Sequence, residues 1–310
     1  MEFFNTVAFG IIAMILVGSS WSLEGLVMGD APKKKVDPSV VQFFGGVVSS
    51  LCSGIPMLLG GFPDCSWQVY VLTCGAYFMT GILNFVLLQV MSVAMQRGPN
   101  GIVWAIIQTA LFVPFLAGVF LHDMSANLIQ WFGLACMIIS LVFFACGLDN
   151  QQKGKGGWLM LSFLGLCISG VNGIILTEPS YHAASEPINS LTRTFYGVAG
   201  IMVSAVVYNL TRFNATHRQY LCQALRRPIL WYYVGTLQFF SLFFAYFFQY
   251  PGINILAKND MGGVGLPLMY ASCIVAFTLC SIFLLKEKIK WPQMVALGFS
   301  LVGIVTICWK

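Results

Sequence analysis

Ten long apolar segments fill the chain from end to end, and this pattern limits the fold more than any other feature of the sequence. Each segment is close to the roughly 20 residues that an α-helix needs to cross the hydrocarbon core of a bilayer. None shows the alternation of apolar and polar residues that marks a membrane β-barrel. We therefore expect an all-α integral membrane protein with ten transmembrane helices. The segments run over residues 7–28, 39–61, 68–95, 100–121, 127–147, 157–178, 192–211, 228–250, 262–285 and 291–309.

The composition leaves no room for a separate soluble domain, because 58% of the residues are hydrophobic and only 9% are charged. Residues 1–6 carry no Lys or Arg, and the first apolar run is long enough to span, so no cleavable signal peptide is predicted. The ten cysteines are scattered, without a CxxC pair or a nearby cluster of histidines. We expect buried thiols, and neither a metal site, a disulfide framework nor a cofactor.

The distribution of positive charge predicts the orientation in the membrane. Thirteen of the sixteen Lys and Arg residues lie in loops that follow odd-numbered segments. By the positive-inside rule these loops are cytoplasmic, which places both termini outside the cytoplasm. Topology alone explains the basic stretch 212–227, so no nucleic-acid partner is predicted. The sequons at Asn209 and Asn214 are in the same loop, and we expect them to stay unglycosylated.

The two halves of the chain are related by a shift of 154 residues. The matches are Glu24 with Glu178, Gly46 with Gly200, Ser50 with Ser204, Tyr77 with Trp231 and Asn84 with Gln238. The Lys-rich segment 148–156 separates residues 1–150 from residues 151–310, with five segments in each half. An odd number of crossings inverts the second half relative to the first, which is the architecture of many alternating-access transporters. Beyond the eighth segment, a shift of 154 residues no longer aligns the two halves.

Small residues recur at four-residue spacing on two segments. They are Gly46, Ser50 and Gly54 on the second and Gly165, Ser169 and Gly173 on the sixth. Such faces let helix backbones approach closely. The spacing favours packing within the bundle and leaves a homodimer interface as an alternative.

Polar and aromatic side chains share helix faces within several apolar segments. The pairs are Tyr77 with Asn84, Trp104 with Gln108 and Trp231 with Gln238, and Asn172 lies alone in the sixth segment. Aromatic rings pack on the C–H face of a sugar, and amides bond to its hydroxyl groups, so these residues predict a site for a small neutral sugar. The alternative is that the amides join neighbouring helices and the rings belong to the interfacial belt, above all Trp231 beside Arg226 and Arg227.

Two acids, Glu24 and Glu178, lie within apolar segments rather than in loops. A carboxylate there is costly and marks work with protons or substrate. Because desolvation favours the neutral form of a carboxyl group, such a group can load a proton on one side and release it on the other. The plainer interpretation is that Glu24 reaches the cytoplasmic boundary and that Glu178 ends a helix before Pro179. Asp260 is the next candidate.

Several stretches resemble the drug/metabolite transporter superfamily. They are APKKKV at 31–36 and LLKEKIKWPQMVALGFSLVGIVTI at 284–307. Within it, SLTRTFYGVAGIMVSAVVYNLTRF at 190–213 and LQFFSLFFAYFF at 237–248 are similar to the bacterial L-rhamnose-proton symporter family. The resemblance implies uptake of a deoxyhexose across the inner membrane, driven by the proton gradient.

Taken with the residues, this predicts a secondary active transporter for a small sugar such as L-rhamnose. An exporter of drugs or metabolites on the same fold is the first alternative. A membrane-embedded enzyme or sensor is the second, but the sequence has no paired carboxylates, and His122, His182 and His217 all lie in loops. We therefore expect no enzymatic activity.

Overall fold

The computed structural model describes residues 6–122, 126–146, 157–258, 262–284, 290–307 and 309, and these residues form helices joined by turns. Six stretches are long and apolar enough to cross a membrane: Val7–Asp30, Pro38–Leu59, Trp67–Arg97, Asn100–Leu121, Trp158–Thr177 and Ser190–Thr211. Further apolar helices follow at the end of each half. The prediction of a helical, multi-pass membrane protein is therefore confirmed.

Thirteen α-helices form within the described ranges. They are α1 (Val7–Asp30), α2 (Pro38–Leu59), α3 (Trp67–Arg97), α4 (Asn100–Gln108), α5 (Phe112–Leu121), α6 (Leu128–Cys146), α7 (Trp158–Thr177), α8 (Ser190–Thr211), α9 (Ala215–Leu225), α10 (Pro228–Phe244), α11 (Tyr250–Lys258), α12 (Gly262–Phe283) and α13 (Trp291–Ile307). The predicted boundary between the halves, with Lys153 and Lys155, lies outside the described residues.

Side-chain caps set several helix starts. The side chains of Thr6, Ser66, Asn189 and Asn214 each accept a hydrogen bond from the backbone N–H three residues later. A cap of this kind satisfies one of the backbone donors that a helix leaves unpaired at its N-terminus. Asp37 does the same for Ser39 at the start of α2.

Two of the predicted segments are interrupted in the structure. A 3₁₀ turn at Thr109–Leu111 separates α4 from α5, and a π-helical turn at Ala245–Gln249 separates α10 from α11. Pro114 and Pro251 follow these turns, and each lacks the N–H that would bond to the carbonyl four residues earlier. The fourth and eighth segments are therefore discontinuous helices rather than the unbroken ones that the apolar pattern predicted.

The basic loop between α8 and α10 contains the short helix α9, which the hydropathy pattern did not predict. It helps to fasten this side of the bundle. The Arg212 guanidinium lies 2.9 Å from the Asp37 carboxylate, and the Tyr220 hydroxyl accepts the Asp37 N–H at 2.7 Å. The Tyr233 hydroxyl donates to Asp30 at 2.6 Å. These bonds tie the loop after α1 to α8, α9 and α10.

Some packing contacts of the first half resemble contacts of the second. In the first half α1 packs along α12 and against α10 and α11, while in the second α7 packs along α4 and α5 and against α3. Likewise α2 packs on α10 as α8 packs on α3. Two further pairs, α2 with α8 and α6 with α13, pack across the two halves.

Close backbone approach makes glycine necessary at two helix crossings. A Cβ on Gly18 would lie 2.0 Å from the Met269 carbonyl oxygen of α12, and one on Gly81 would lie 1.9 Å from the Gly197 carbonyl oxygen of α8. Both neighbours are backbone atoms that cannot move aside, so any side chain would force the helices apart.

The two predicted stripes of small residues face other helices of the same chain. Gly46 and Gly54 lie against Met202 and Phe195 of α8, and Gly173 lies against Pro114 of α5. These faces are thus used inside the bundle. A homodimer stays a prediction, and neither stripe is open to support it.

Candidate functional site

A cavity of about 180 Å³ lies inside the bundle, between helices of both halves. Its walls come from α1, α3, α4, α7, α8, α11 and α12 together with the end of the π-helical turn. One water needs about 10–15 Å³ of such space, so the cavity has room for several waters or for a small polar solute. Four residues of the sugar site predicted from the sequence line it: Asn84, Trp104, Gln108 and Asn172.

Two lining side chains have polar atoms without a strong partner. The amide Oδ1 of Asn172 is buried and makes no hydrogen bond to a described residue, and the buried indole Nε1 of Trp104 has only the weakly accepting thiol of Cys273 beside it. One is a donor and the other an acceptor. A buried polar atom without a partner costs about 1–3 kcal/mol, and a solute with hydroxyl groups would supply hydrogen bonds to both atoms.

Glu24 lines the same cavity from α1, three residues after Trp21, which lines it too. The next residue, Gly25, packs against the rings of Trp104 and Phe277. Because α1 continues to Asp30, Glu24 lies nearly two turns from the helix end rather than at the boundary itself. The structure therefore brings a carboxyl group and the predicted polar residues to one cavity.

Aromatic rings form much of the wall. Trp104 stacks on Phe277 with centroids 4.9 Å apart, and Trp21 meets Tyr270 edge to face at 5.8 Å. Such pairs hold the rings in fixed positions around the polar groups.

Both interruptions of the predicted segments occur at the cavity. Gln108 is the last residue of α4 before the 3₁₀ turn, and Gln249 is the last residue of the π-helical turn. Both line the cavity and both are buried. Binding sites between repeats are typically built from discontinuous helices, because irregular backbone is tolerated where it faces a cavity.

Tyr77 lies behind the cavity wall. It is almost fully buried and meets Tyr250, a lining residue, edge to face at 5.9 Å. Its predicted role in substrate binding is therefore indirect in this conformation.

Glu178 lies outside the cavity lining, in the 3₁₀ turn that follows α7. Its carboxylate accepts hydrogen bonds from Nε2 of His122 at 3.0 Å and Nε2 of His182 at 3.1 Å. Tyr181 stacks on the His122 ring with centroids 4.0 Å apart. Burial and the Glu178 carboxylate raise the pKa of Tyr181, so its hydroxyl stays neutral. The role of Glu178 in proton coupling stays a prediction.

Three other predicted residues are placed differently. Trp231 is 45% exposed at the start of α10, where its Nε1 donates to the Leu225 carbonyl and its ring packs on Phe44. This placement agrees with the alternative interpretation from the sequence, in which the Trp231 ring belongs to the interfacial belt beside Arg226 and Arg227. Gln238 belongs to α10, but its side chain is outside what the structure describes, and Asp260 lies outside the described residues.

Several lining residues were not predicted from the sequence. Trp21 could have been found, since it lies three residues before Glu24 and so on the same helix face. Gln249 and Tyr250 precede Pro251, and a polar residue next to proline in an apolar segment is a usable signal. Nothing in the sequence marks Tyr270, because only the crossing of α12 over α1 brings it to the cavity.

Within the described part of the chain, no three His, Cys, Asp or Glu side chains come together as metal ligands would. The cavity instead offers one carboxyl group, amides, an indole N–H and aromatic rings. This set can bind a small solute by hydrogen bonds and ring contacts.

Comparisons with known proteins support the fold alone. No protein-family model and no curated protein sequence matches the chain. Sixteen solved chains match it in structure. One, described only as "Crystal structure of protein", has a TM-score of 0.57 and 14% identity, covering 97% of this chain and 95% of its own. The fold and the cavity define a multi-pass helical membrane protein with an internal polar site.

Proposed function

We propose that the protein is a secondary active transporter that takes up a small sugar, of which L-rhamnose is an example, together with a proton. The observation that carries the proposal is a pair of buried polar atoms in the cavity without a strong partner, Trp104 Nε1 and Asn172 Oδ1. Buried polar groups are normally hydrogen-bonded, and a bound solute would supply the bonds here. Asn84 and Gln108 add amide groups that suit further hydroxyls.

The packing of the helices supports two inverted five-helix repeats, residues 1–150 and 151–310, acting as one transport domain. The contacts of α1 with α12, α10 and α11, and of α2 with α10, have counterparts for α7 and α8 in the second half. The cavity is lined by α1, α3 and α4 of one half and by α7, α8, α11 and α12 of the other. Rocking of one half against the other would open it first to one side and then to the other.

Glu24 is the better candidate for the proton carrier, because it lines the cavity and Glu178 does not. A proton on Glu24 removes the charge while substrate is bound. Release of that proton on the cytoplasmic side would then complete the cycle. The excess of Lys and Arg in the odd loops supports this orientation, with both termini outside the cytoplasm of a bacterial inner membrane.

Export of drugs or metabolites is the second candidate function. The feature that favours it is the combination of Glu24 with Trp21, Trp104 and Tyr270, since a carboxylate among aromatic rings also suits an apolar cation. A membrane-embedded enzyme or sensor has less support, because the lining of the cavity contains a single carboxylate and no histidine or cysteine.

Uptake into proteoliposomes tests the proposal. Purified protein is reconstituted and offered a panel of labelled neutral and acidic sugars, with and without an inward proton gradient. Accumulation of one sugar that requires the gradient is the expected result. Export of an apolar cation without any sugar uptake would favour the second candidate.

A further inference from the structure

Arg193 is a buried cation with no carboxylate partner among the described residues. Only 5% of the residue is exposed. Its Nε donates to the Ile188 carbonyl at 2.9 Å, and its Nη2 donates to the Ser185 carbonyl at 3.1 Å. Two carbonyl dipoles offset part of a unit charge, but a buried guanidinium is normally compensated by a full negative charge.

The guanidinium lies near the cavity but is not part of its lining. It sits 5.7 Å from the centroid of the Tyr77 ring, and Tyr77 meets Tyr250, which lines the cavity. The residue that follows it, Thr194, lines the cavity as well. Two aromatic rings therefore separate the charge from the site, and neither can neutralise it.

The two ends of the cavity differ in charge. Thr194 and Tyr250 lie near the helix ends on the side of the bundle opposite the basic loops. Glu24 and Trp104 lie nearer the side that carries those loops. Glu24 is the acid of the site, and no Lys or Arg is among its lining residues. An acid thus lies on one side of the amides, and a cation without a carboxylate partner among the described residues lies on the other.

We propose that the solute is a small hydroxylated carboxylate, a sugar acid, bound with its carboxylate toward Arg193 and its hydroxyl groups on Asn172, Gln108 and Trp104. The inference rests on the proposed function and names the substrate class of the same site. In a medium of low dielectric constant, a neutral sugar adds no counter-charge to the one that the described residues fail to give Arg193, and an apolar cation is repelled by it. An anion would supply a counter-charge.

A matched pair of probes tests the inference on the wild-type protein. D-Galactose and D-galacturonate differ only at one carbon, where a hydroxymethyl group is replaced by a carboxylate. Binding of each to the reconstituted protein is measured by competition with a labelled transported sugar. We expect galacturonate to bind about 15- to 30-fold more tightly, the ratio for unit charges roughly 8–10 Å apart at an effective dielectric constant of about 20.

Three variants assign the preference to the charge. Arg193→Met removes the positive charge and should lower the affinity for galacturonate to that for galactose. Arg193→Lys keeps it and should retain most of the preference, even though the hydrogen bonds to the Ser185 and Ile188 carbonyls change. Arg218→Met removes an exposed arginine from α9 and should leave the ratio unchanged. The ratio of the two affinities is the readout, because a general loss of folding lowers both.

The outcomes separate this inference from the proposed function. A preference for galacturonate that Arg193→Met abolishes and Arg193→Lys keeps supports both. Equal binding of the two sugars by the wild-type protein overturns the inference and leaves sugar transport standing. Binding of tetraphenylphosphonium with neither sugar bound overturns both.

Discussion

The carboxylate of Glu178 lies 3.0 Å from Nε2 of His122, and this bond joins the turn after α7 to the end of α5. Glu178 is 41% exposed and faces two histidines rather than the cavity. We therefore predict that Glu178→Gln still accumulates substrate in response to a proton gradient. Its melting temperature should fall only slightly, because half-exposed ion pairs contribute about 1 kcal/mol or less.

Gradient-driven uptake and thermal unfolding in detergent check this prediction on the same preparation. His182→Gln, which removes the more exposed of the two histidines, is the matched control and should be milder still. Loss of driven uptake in Glu178→Gln, with normal folding, would return Glu178 to the coupling mechanism.

Gly81→Val should strongly destabilise the protein. The new Cβ would lie 1.9 Å from the backbone carbonyl of Gly197, so α3 and α8 must separate, and overpacking of this kind costs about 1–3 kcal/mol or more. Gly75→Val is the control on the same helix, because no atom lies within 4 Å of the added Cβ. Equal melting temperatures for the two variants would mean that α3 and α8 cross elsewhere.

Much of the fold follows from the sequence, because a membrane helix must be predominantly apolar over about 20 residues. The starts of α3, α8 and α9 coincide with Ser66, Asn189 and Asn214, whose side chains cap them. What hydropathy cannot give is the interruption of an apolar segment. Pro114 and Pro251 were visible, but the form of each break depends on the local backbone.

The lining of the cavity was predicted only in part. A polar residue within a membrane span is energetically costly and is usually functional. This argument selected Glu24, Asn84, Trp104, Gln108 and Asn172. Trp231 was selected by the same argument and lies at the boundary instead. The spacing of residues along one helix predicts which of them share a face. The lining of the cavity depends instead on how seven helices cross.

Replacing an amide of the cavity should weaken substrate binding. Gln108→Ala or Asn172→Ala removes a hydrogen bond to a substrate hydroxyl, for an expected loss of about 1–3 kcal/mol in binding free energy. Gln238→Ala is predicted from the sequence to act in the same way. Gln219→Ala, on the exposed surface of α9, is the control. Wild-type affinity in the two cavity variants would assign these amides to packing.

The orientation can be tested with reporter fusions. A reporter after Lys310 should register outside the cytoplasm, and one inserted near Lys153 should register inside, because the odd loops hold most of the Lys and Arg residues. Expression in a glycosylating membrane should leave Asn209 and Asn214 unmodified. The reverse pattern of both reporters would invert the direction assigned to the proton.

The most direct test of the central claim uses Glu24→Gln, which mimics the permanently protonated carboxyl group. Proton-driven accumulation and substrate counterflow are measured in the same proteoliposomes. If Glu24 carries the proton, accumulation against a gradient is lost while counterflow persists, because the variant binds and exchanges substrate but has no proton to release. Continued accumulation driven by the pH gradient in Glu24→Gln would contradict the proposed coupling.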